Sequence, residues 1–329
     1  MRLSINKARS LWWTISSVVI LSGIASMLIS WQNPNIKAPL RLGLDFIGGS
    51  RLQFVRDCNQ PGNCDKPIDI NAVREVAKSL GLGDSSIQVI SEEENGKRLD
   101  NGITIRTKNL DVNQSAELKK ALTEKIGTFD PQKNQIDFVG PTLGRELFRS
   151  GLLALLISFG GIIIYLAVRF QLDYAVFAII ALLHDVLVTT GAFSLLGLVA
   201  NVEIDSLFIV ALLTIIGFSV NDTVVIYDRI RENLKINPQL SIPQIVDDAV
   251  NQTLSRSINT SLTTLLAVLA IFLFGGETLK NFSLALIIGF TAGSYSSIFI
   301  ASTLLSWWRE RTEKSMTEAV DPVLSSPDS

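Results

Sequence analysis

Six stretches of this 329-residue chain are apolar for long enough to cross a bilayer, and that restricts the fold more than any other property. A spanning helix needs about 20 predominantly apolar residues. Inside the hydrocarbon no water satisfies backbone N–H and C=O groups, so only helices and closed barrels cross it. The runs fall near 11–31, 147–168, 174–196, 204–227, 258–275 and 282–306. Hydrophobic residues make up 47% of the chain and charged residues 18%, too apolar a balance for an ordinary soluble domain. The chain reads as a polytopic α-helical membrane protein with six transmembrane helices.

The first run follows Arg2, Lys7 and Arg9, a pattern shared with signal peptides. Its apolar part is longer than a usual signal core, and Trp12, Trp13 and Trp31 bracket it as interfacial anchors do. It is therefore read as an uncleaved helix. Trp307 and Trp308 close the sixth run in the same way. With the N-terminus inside, the short cytoplasmic pieces carry Arg2, Lys7, Arg9, Arg169, Arg229, Arg231, Lys235, Arg256, Arg309, Arg311 and Lys314, against Lys280 alone in the short outside loops. That asymmetry places residues 1–10 and the polar tail 307–329, expected to be disordered, in the cytoplasm. The long segment 32–146 then lies outside it.

This segment reads as a small folded domain. Period-two alternation marks strands at 50–56, 86–91, 102–107 and 134–140, and helical spacing marks helices at 70–80 and 112–126. A polar turn region runs from Glu92 to Lys97. The order β-α-β-β-α-β is the α+β ferredoxin-like pattern. Cys58 and Cys64 both fall here; an oxidising compartment permits a disulfide between them, and two free thiols are the alternative. On the cytoplasmic side, Ser241-Ile242-Pro243-Gln244 has the form of a capping box with Pro in the first turn. It opens an amphipathic surface helix over 241–255, leading into Arg256.

Composition also excludes whole classes of chemistry. The formal net charge is -2, so no basic excess points to nucleic acid. One His and two Cys argue against a multi-ligand zinc or haem site, and neither a metal nor a cofactor is expected. No GxxxxGK[ST], GxSxG or HExxH motif occurs, so nucleotide hydrolysis within the chain is not an energy source and the chain does not read as an enzyme.

What remains are polar groups at membrane depth. Asp222 interrupts the fourth run about a turn and a half, some 9 Å, inside its cytoplasmic end. A carboxylate there costs roughly 2.5–3.5 kcal/mol on insertion scales, and such groups line proton or ion paths or bond helices together. Arg256, at the cytoplasmic end of the fifth run, falls in the same leaflet. An Arg beside a carboxylate favours its charged form, and withdrawing the Arg favours the neutral one. The bland readings are a positive-inside anchor for Arg256 and an interhelical hydrogen bond for Asp222. His184 and Asp185, near the middle of the third run, suit a proton relay or a helix–helix bond equally. Adjacent helix positions diverge by about 100°, so the two cannot face one partner squarely. Thr260, Ser261, Thr263 and Thr264 line a wet path or pack helices, and the stripe Gly289, Gly293, Ser297, Ala301 reads as a packing face.

Five segments together resemble one family. They are Gly43-Leu44-Asp45-Phe46-Ile47-Gly48-Gly49, Val139-Gly140-Pro141-Thr142-Leu143-Gly144, Leu182-Leu183-His184-Asp185, the stretch 217–233 containing Asn221-Asp222-Thr223, and Arg256-Ser257-Ile258-Asn259-Thr260-Ser261. In this order and at these topological positions the chain resembles SecF, a translocon-associated membrane subunit related to resistance–nodulation–division transporters, from the first run to the sixth.

The resemblance implies a SecD partner with six further spans, association with the SecYEG channel and the SecA motor, and a bacterial plasma (inner) membrane whose lipid surrounds the spans. It implies late-stage promotion of protein export, with exported polypeptides as clients and the proton motive force as the energy source. It assigns proton transfer to Asp222 and Arg256, and a further acidic group to the partner. The family motif also includes Gly43, Asp45, Phe46, Gly48, Gly49, Asn221 and Thr223. Two rivals stay open: half of a small-molecule efflux pump, against which the modest outside segment argues, and a structural subunit that holds the translocon together without carrying protons.

Overall fold

Each apolar run is helical, because a backbone with no water to bond must satisfy its N–H and C=O groups along its own axis. The computed structural model describes residues 3–34, 36–83, 85–94, 97–107 and 110–312. Arg2, Lys314, the tip of the expected turn at 95–96 and the tail from 313 lie outside the described residues. In chain order the elements are α1 (Arg9–Gln32), a one-turn α2 (Leu44–Ile47), β1 (Gly49–Val55), α3 (Ile70–Ser79), β2 (Ser86–Glu94), β3 (Lys97–Thr107), α4 (Val112–Ile126) and β4 (Gln135–Val139), then α5 (Pro141–Arg169), α6 (Leu172–Val199), α7 (Ser206–Ile236), α8 (Ile242–Phe274) and α9 (Glu277–Ser296). They divide into two compact units, one made of residues up to Arg41 and from Gly151 onward, the other of Leu42–Ser150.

The first unit is the helical bundle. Among the described residues, six helices are long and apolar enough to cross a membrane. α6, α7 and α9 form its interior, whereas α5 buries very little of its spanning stretch. Helices in lipid cannot use the hydrophobic effect against one another and associate through small residues and polar bonds. α1 meets α6 backbone to backbone: a Cβ on Gly191 would come within 2.7 Å of Gly23 Cα, and Ser26 donates to Gly191 O at 3.2 Å.

The stripe on α9 meets α7 one turn at a time. Gly289 lies against the Ile215 side chain and Gly293 against Ser219. Ser297 bonds Thr223 at 2.8 Å, and Ala301 O accepts from Tyr227 at 3.3 Å. After Ser296 the helix opens into a π turn over Ser297–Ala301 and then resumes.

One end of the bundle is tied by polar contacts. Leu3 N and Asn6 reach Asn251 and Asp247 on α8, Arg9 pairs with Glu310, Arg169 with Asp228, and Arg309 with Asp173. The N-terminus, the α5–α6 turn and the C-terminal ends of α7 and α9 are therefore together.

One expectation changes here. The amphipathic helix placed at 241–255 and the span placed at 258–275 are a single unbroken helix, α8. No Gly or Pro separates Leu254 from Ile258, so nothing breaks the hydrogen-bond ladder. Its first half is no surface float either: Ile245, Val246, Ala249 and Val250 are buried with Ile5, Tyr174 and Tyr227. Ser241 and Gln244 close the capping box at its start.

The second unit is ferredoxin-like. Its sheet runs β2-β3-β1-β4, antiparallel at every pairing. Leu52, Phe54, Ile103 and Ile105 point to one face and bury Val73 and Val76 of α3 and Leu118 and Leu122 of α4. Asp69 caps α3, and Asp111 forms a capping box with Gln114 at α4. A disulfide joins Cys58 to Cys64, with Cα atoms 5.3 Å apart.

Candidate functional site

The polar groups of the bundle interior gather where α6, α7 and α9 meet. His184 and Asp185 are buried, at 6% and 0% exposure. As the 100° divergence demands, they serve different helices. His184 Nδ1 lies 2.9 Å from Asp185 Oδ1, and its Nε2 lies 3.1 Å from Ser16 Oγ on α1. The imidazole stacks on the Tyr295 ring at 5.9 Å. Asp185 Oδ2 accepts from Ser219 on α7 at 2.6 Å and from Ser296 on α9 at 2.9 Å. Both carboxylate oxygens are therefore engaged, and Asp185 is held from three sides.

Asp222 is placed differently. It lies three residues, about 4.5 Å of axial rise, beyond Ser219 on α7. Its Oδ1 accepts from Ser257 on α8, while its Oδ2 is buried without a hydrogen-bond partner. Such an oxygen is unusual, because buried polar atoms are nearly always paired. Arg256 stands close enough for its charge to act on this carboxylate. It makes no ion pair with Asp222 among the described residues, and its side chain is exposed. The two sequence candidates are thus neighbours, with Ser257 as the direct link.

Thr223 is buried and belongs to the α7–α9 contact through Ser297, which also donates to Ser219 O at 3.4 Å. A run of hydroxyls therefore leads from Asp185 to the turn that carries Asp222. Asn221 is exposed, as are Asn259, Thr260 and Thr263 on α8, and Thr264 is half-buried. Ser261 turns inward and bonds Ser294 at 2.6 Å. Asp205 caps α7 by accepting from Phe208 N at 3.2 Å.

The Gly43–Gly49 motif lies in the other unit and has a backbone role there. Gly48 and Gly49 adopt φ of 76° and 128°, a region that side chains disfavour. A Cβ on Gly144 would come within 2.9 Å of Phe46 O, and Phe46 packs edge-on against Phe148 at 5.4 Å. Asp45 lies in the one-turn α2. Among the described residues, no three His, Cys, Asp or Glu side chains gather to hold a metal ion.

The serines at 16, 219, 257 and 296 had no separate signal in the sequence. Serine is common in membrane helices, and only the facing carboxylate gives it a role.

Against protein-family models the chain matches the C-terminal family of the protein export membrane proteins SecD and SecF over residues 118–311. The protein translocase subunit SecF of Synechocystis sp. is 58% identical over 310 residues, which cover 94% of this chain and 95% of that one. The chain belongs to the SecF family. Another similar relative, from Prochlorococcus marinus, is 38% identical over 313 residues, covering 93% of this chain and 95% of its own. Among solved structures, SecDF, a translocon-associated membrane protein from Thermus thermophilus, is similar at 29% identity with a TM-score of 0.76 over 94% of this chain. A super-membrane-facing form of SecDF is similar at 28% identity and TM-score 0.64 over 97% of this chain. This chain spans 39% and 40% of those two chains. Membership in the SecF family and six apolar helices make this a membrane-embedded protein.

Proposed function

We propose that this chain is the SecF subunit of a protein translocase which, with SecD, couples the proton motive force to late-stage export of polypeptides. Asp222 is the proton-carrying group, Arg256 its alternative counter-charge, and His184 and Asp185 the inner part of the relay. The observation that carries this reading is the half-satisfied Asp222 carboxylate beside a cation. Its free oxygen is compensated either by a proton or by the guanidinium, and the exchange between those two is a transport step.

A second feature supports a SecD partner. Asn221, Arg256, Asn259, Thr260 and Thr263 are exposed on this chain alone. Polar groups at spanning depth are expensive against lipid, and a partner's helices covering this flank remove that cost. In the full reading, SecYEG and SecA are the further partners, and the complex sits in the bacterial plasma (inner) membrane with the N- and C-termini cytoplasmic. Residues 32–146 face the exported polypeptide.

Asp222→Asn tests the coupling, because it keeps the shape and the Ser257 contact but cannot ionise. In inverted vesicles the variant should still co-purify with SecD and lose the stimulation of export by an imposed proton gradient. Undiminished gradient-dependent export would leave the structural-subunit reading in its place.

A further inference from the structure

At the tied end of the bundle, the α5–α6 turn, the C-terminal end of α7 and the end of α9 line a half-open cavity of about 460 Å³. That lies within the about 300–1,000 Å³ usual for small-ligand sites. Four cations line it: Arg169, Arg231, Lys235 and Arg309. Two are compensated. Arg169 pairs with Asp228 at 3.3 Å, and Arg309 pairs with Asp173 at 2.7 Å while also donating to Gln171 at 2.6 Å. Arg231 and Lys235 have no hydrogen bond or ion pair among the described residues. The cavity thus holds two positive charges in excess, on one face of α7 at i and i+4.

Its aromatic lining is also specific. Phe170 and Tyr174 lie beneath the guanidinium groups, with Arg169 5.5 Å from the Phe170 ring centre and Arg309 4.4 Å from that of Tyr174. Tyr174 is only 2% exposed, and its hydroxyl has no hydrogen-bond partner. The residue lines a wall that already carries excess positive charge. The flanks are apolar and open: Val168 is 85% exposed and Leu172 74%, where two spanning helices end.

From this arrangement we propose that the cavity is a binding site for the phosphate headgroup of an anionic phospholipid. Arg231 and Lys235 carry the recognition, and the acyl chains lie along Val168 and Leu172. Basic pockets between spanning helices at a membrane surface have the charge and geometry for such headgroups. A diffuse basic surface does not account for a concave site lined by two uncompensated cations one turn apart on a single helix. The inference needs only that the chain is membrane-embedded, so its failure would leave the proton-coupling proposal untouched, and the reverse.

The test is native mass spectrometry of the full chain in detergent, titrated with phosphatidylglycerol, with phosphatidylcholine and with inorganic phosphate. Phosphatidylglycerol should bind with one site in preference to phosphatidylcholine. The double variant Arg231→Gln/Lys235→Gln should weaken it about thirty-fold, since each cation near a membrane surface contributes about a factor of five. Arg311→Gln is the control, because Arg311 stacks on Trp307 at the same end and does not line the cavity; it should change affinity less than about twofold. Equal losses in the control and the double variant would reduce the effect to diffuse surface charge and overturn the site. So would binding that survives the double variant, displacement of the lipid by millimolar inorganic phosphate, or displacement by an acidic peptide.

Discussion

Asp185 offers a quantitative check on the bundle interior, because Ser219 on α7 and Ser296 on α9 donate to the same oxygen, Oδ2. Ser219→Ala leaves Ser296 in place, and Ser296→Ala leaves Ser219. Interhelical hydrogen bonds in a membrane contribute about 0.6 kcal/mol on average and up to about 1.7, and bonds to charged groups lie toward the upper end. Each single variant should therefore lose about 1–1.5 kcal/mol. Ser219→Ala/Ser296→Ala strips the oxygen of both donors. Asp185 is 0% exposed, so no surface water replaces them, and an orphaned buried acceptor adds about 1–3 kcal/mol. The double variant should lose about 3–6 kcal/mol, at least about 1 kcal/mol more than the sum of the singles. Reversible unfolding of the full chain in mixed micelles, run as a double-mutant cycle, measures this directly. Additivity within about 0.5 kcal/mol, the figure for independent sites, would refute the shared acceptor.

Gly289→Val should destabilise the bundle by about 1–3 kcal/mol, because a branched side chain there overlaps Ile215 on α7; fluorescence-detected size exclusion after heating reads the loss. Leu118→Ala, at a fully buried position of the ferredoxin-like unit, should cost about 2–5 kcal/mol. It should make Leu42–Ser150 protease-sensitive while the helices remain membrane-inserted. Cys58→Ser/Cys64→Ser should lower the stability of that unit by about 2 kcal/mol, the loop-closure value for so short a loop. Reductant should shift the parent chain to the variant's melting temperature and leave the variant unchanged.

Bilayer physics made the six helices readable from the chain alone, since the hydrocarbon sets a length and excludes charge. The ferredoxin-like unit was readable from its periodicities, with Leu52 and Phe54 alternating in β1 and Leu118 and Leu122 spaced a turn apart in α4. Asp222, Arg256, His184 and Asp185 were visible because ionisable groups are so rare at that depth. Their direct partners were not. Ser257 sits beside Arg256 in the same motif, yet only the crossing of α7 and α8 shows that serine, not arginine, touches the carboxylate. The unity of α8 was within reach, as no breaker stands between Leu254 and Ile258. The change from amphipathic to fully apolar pattern along it marks a change of surroundings, not the end of a helix. The π turn has no composition of its own; it is a choice of hydrogen-bond register made against α7 and α6.

That register works like a reading frame. A π turn is an α-helix carrying one residue more than its turns require, and the extra residue over Ser297–Ala301 sets the phase of everything after it. Losing one residue there would restore regular bonding but rotate the following segment by about 100°. Thr303 would leave Trp13, Arg309 would leave Asp173, and Glu310 would leave Arg9. Gly289 and Gly293 before the turn and the ion pairs after it are each in phase with their own neighbours, and the single inserted residue keeps both alignments at once. Substitutions along this stretch change one contact at a time, whereas a change in its length changes all of them together.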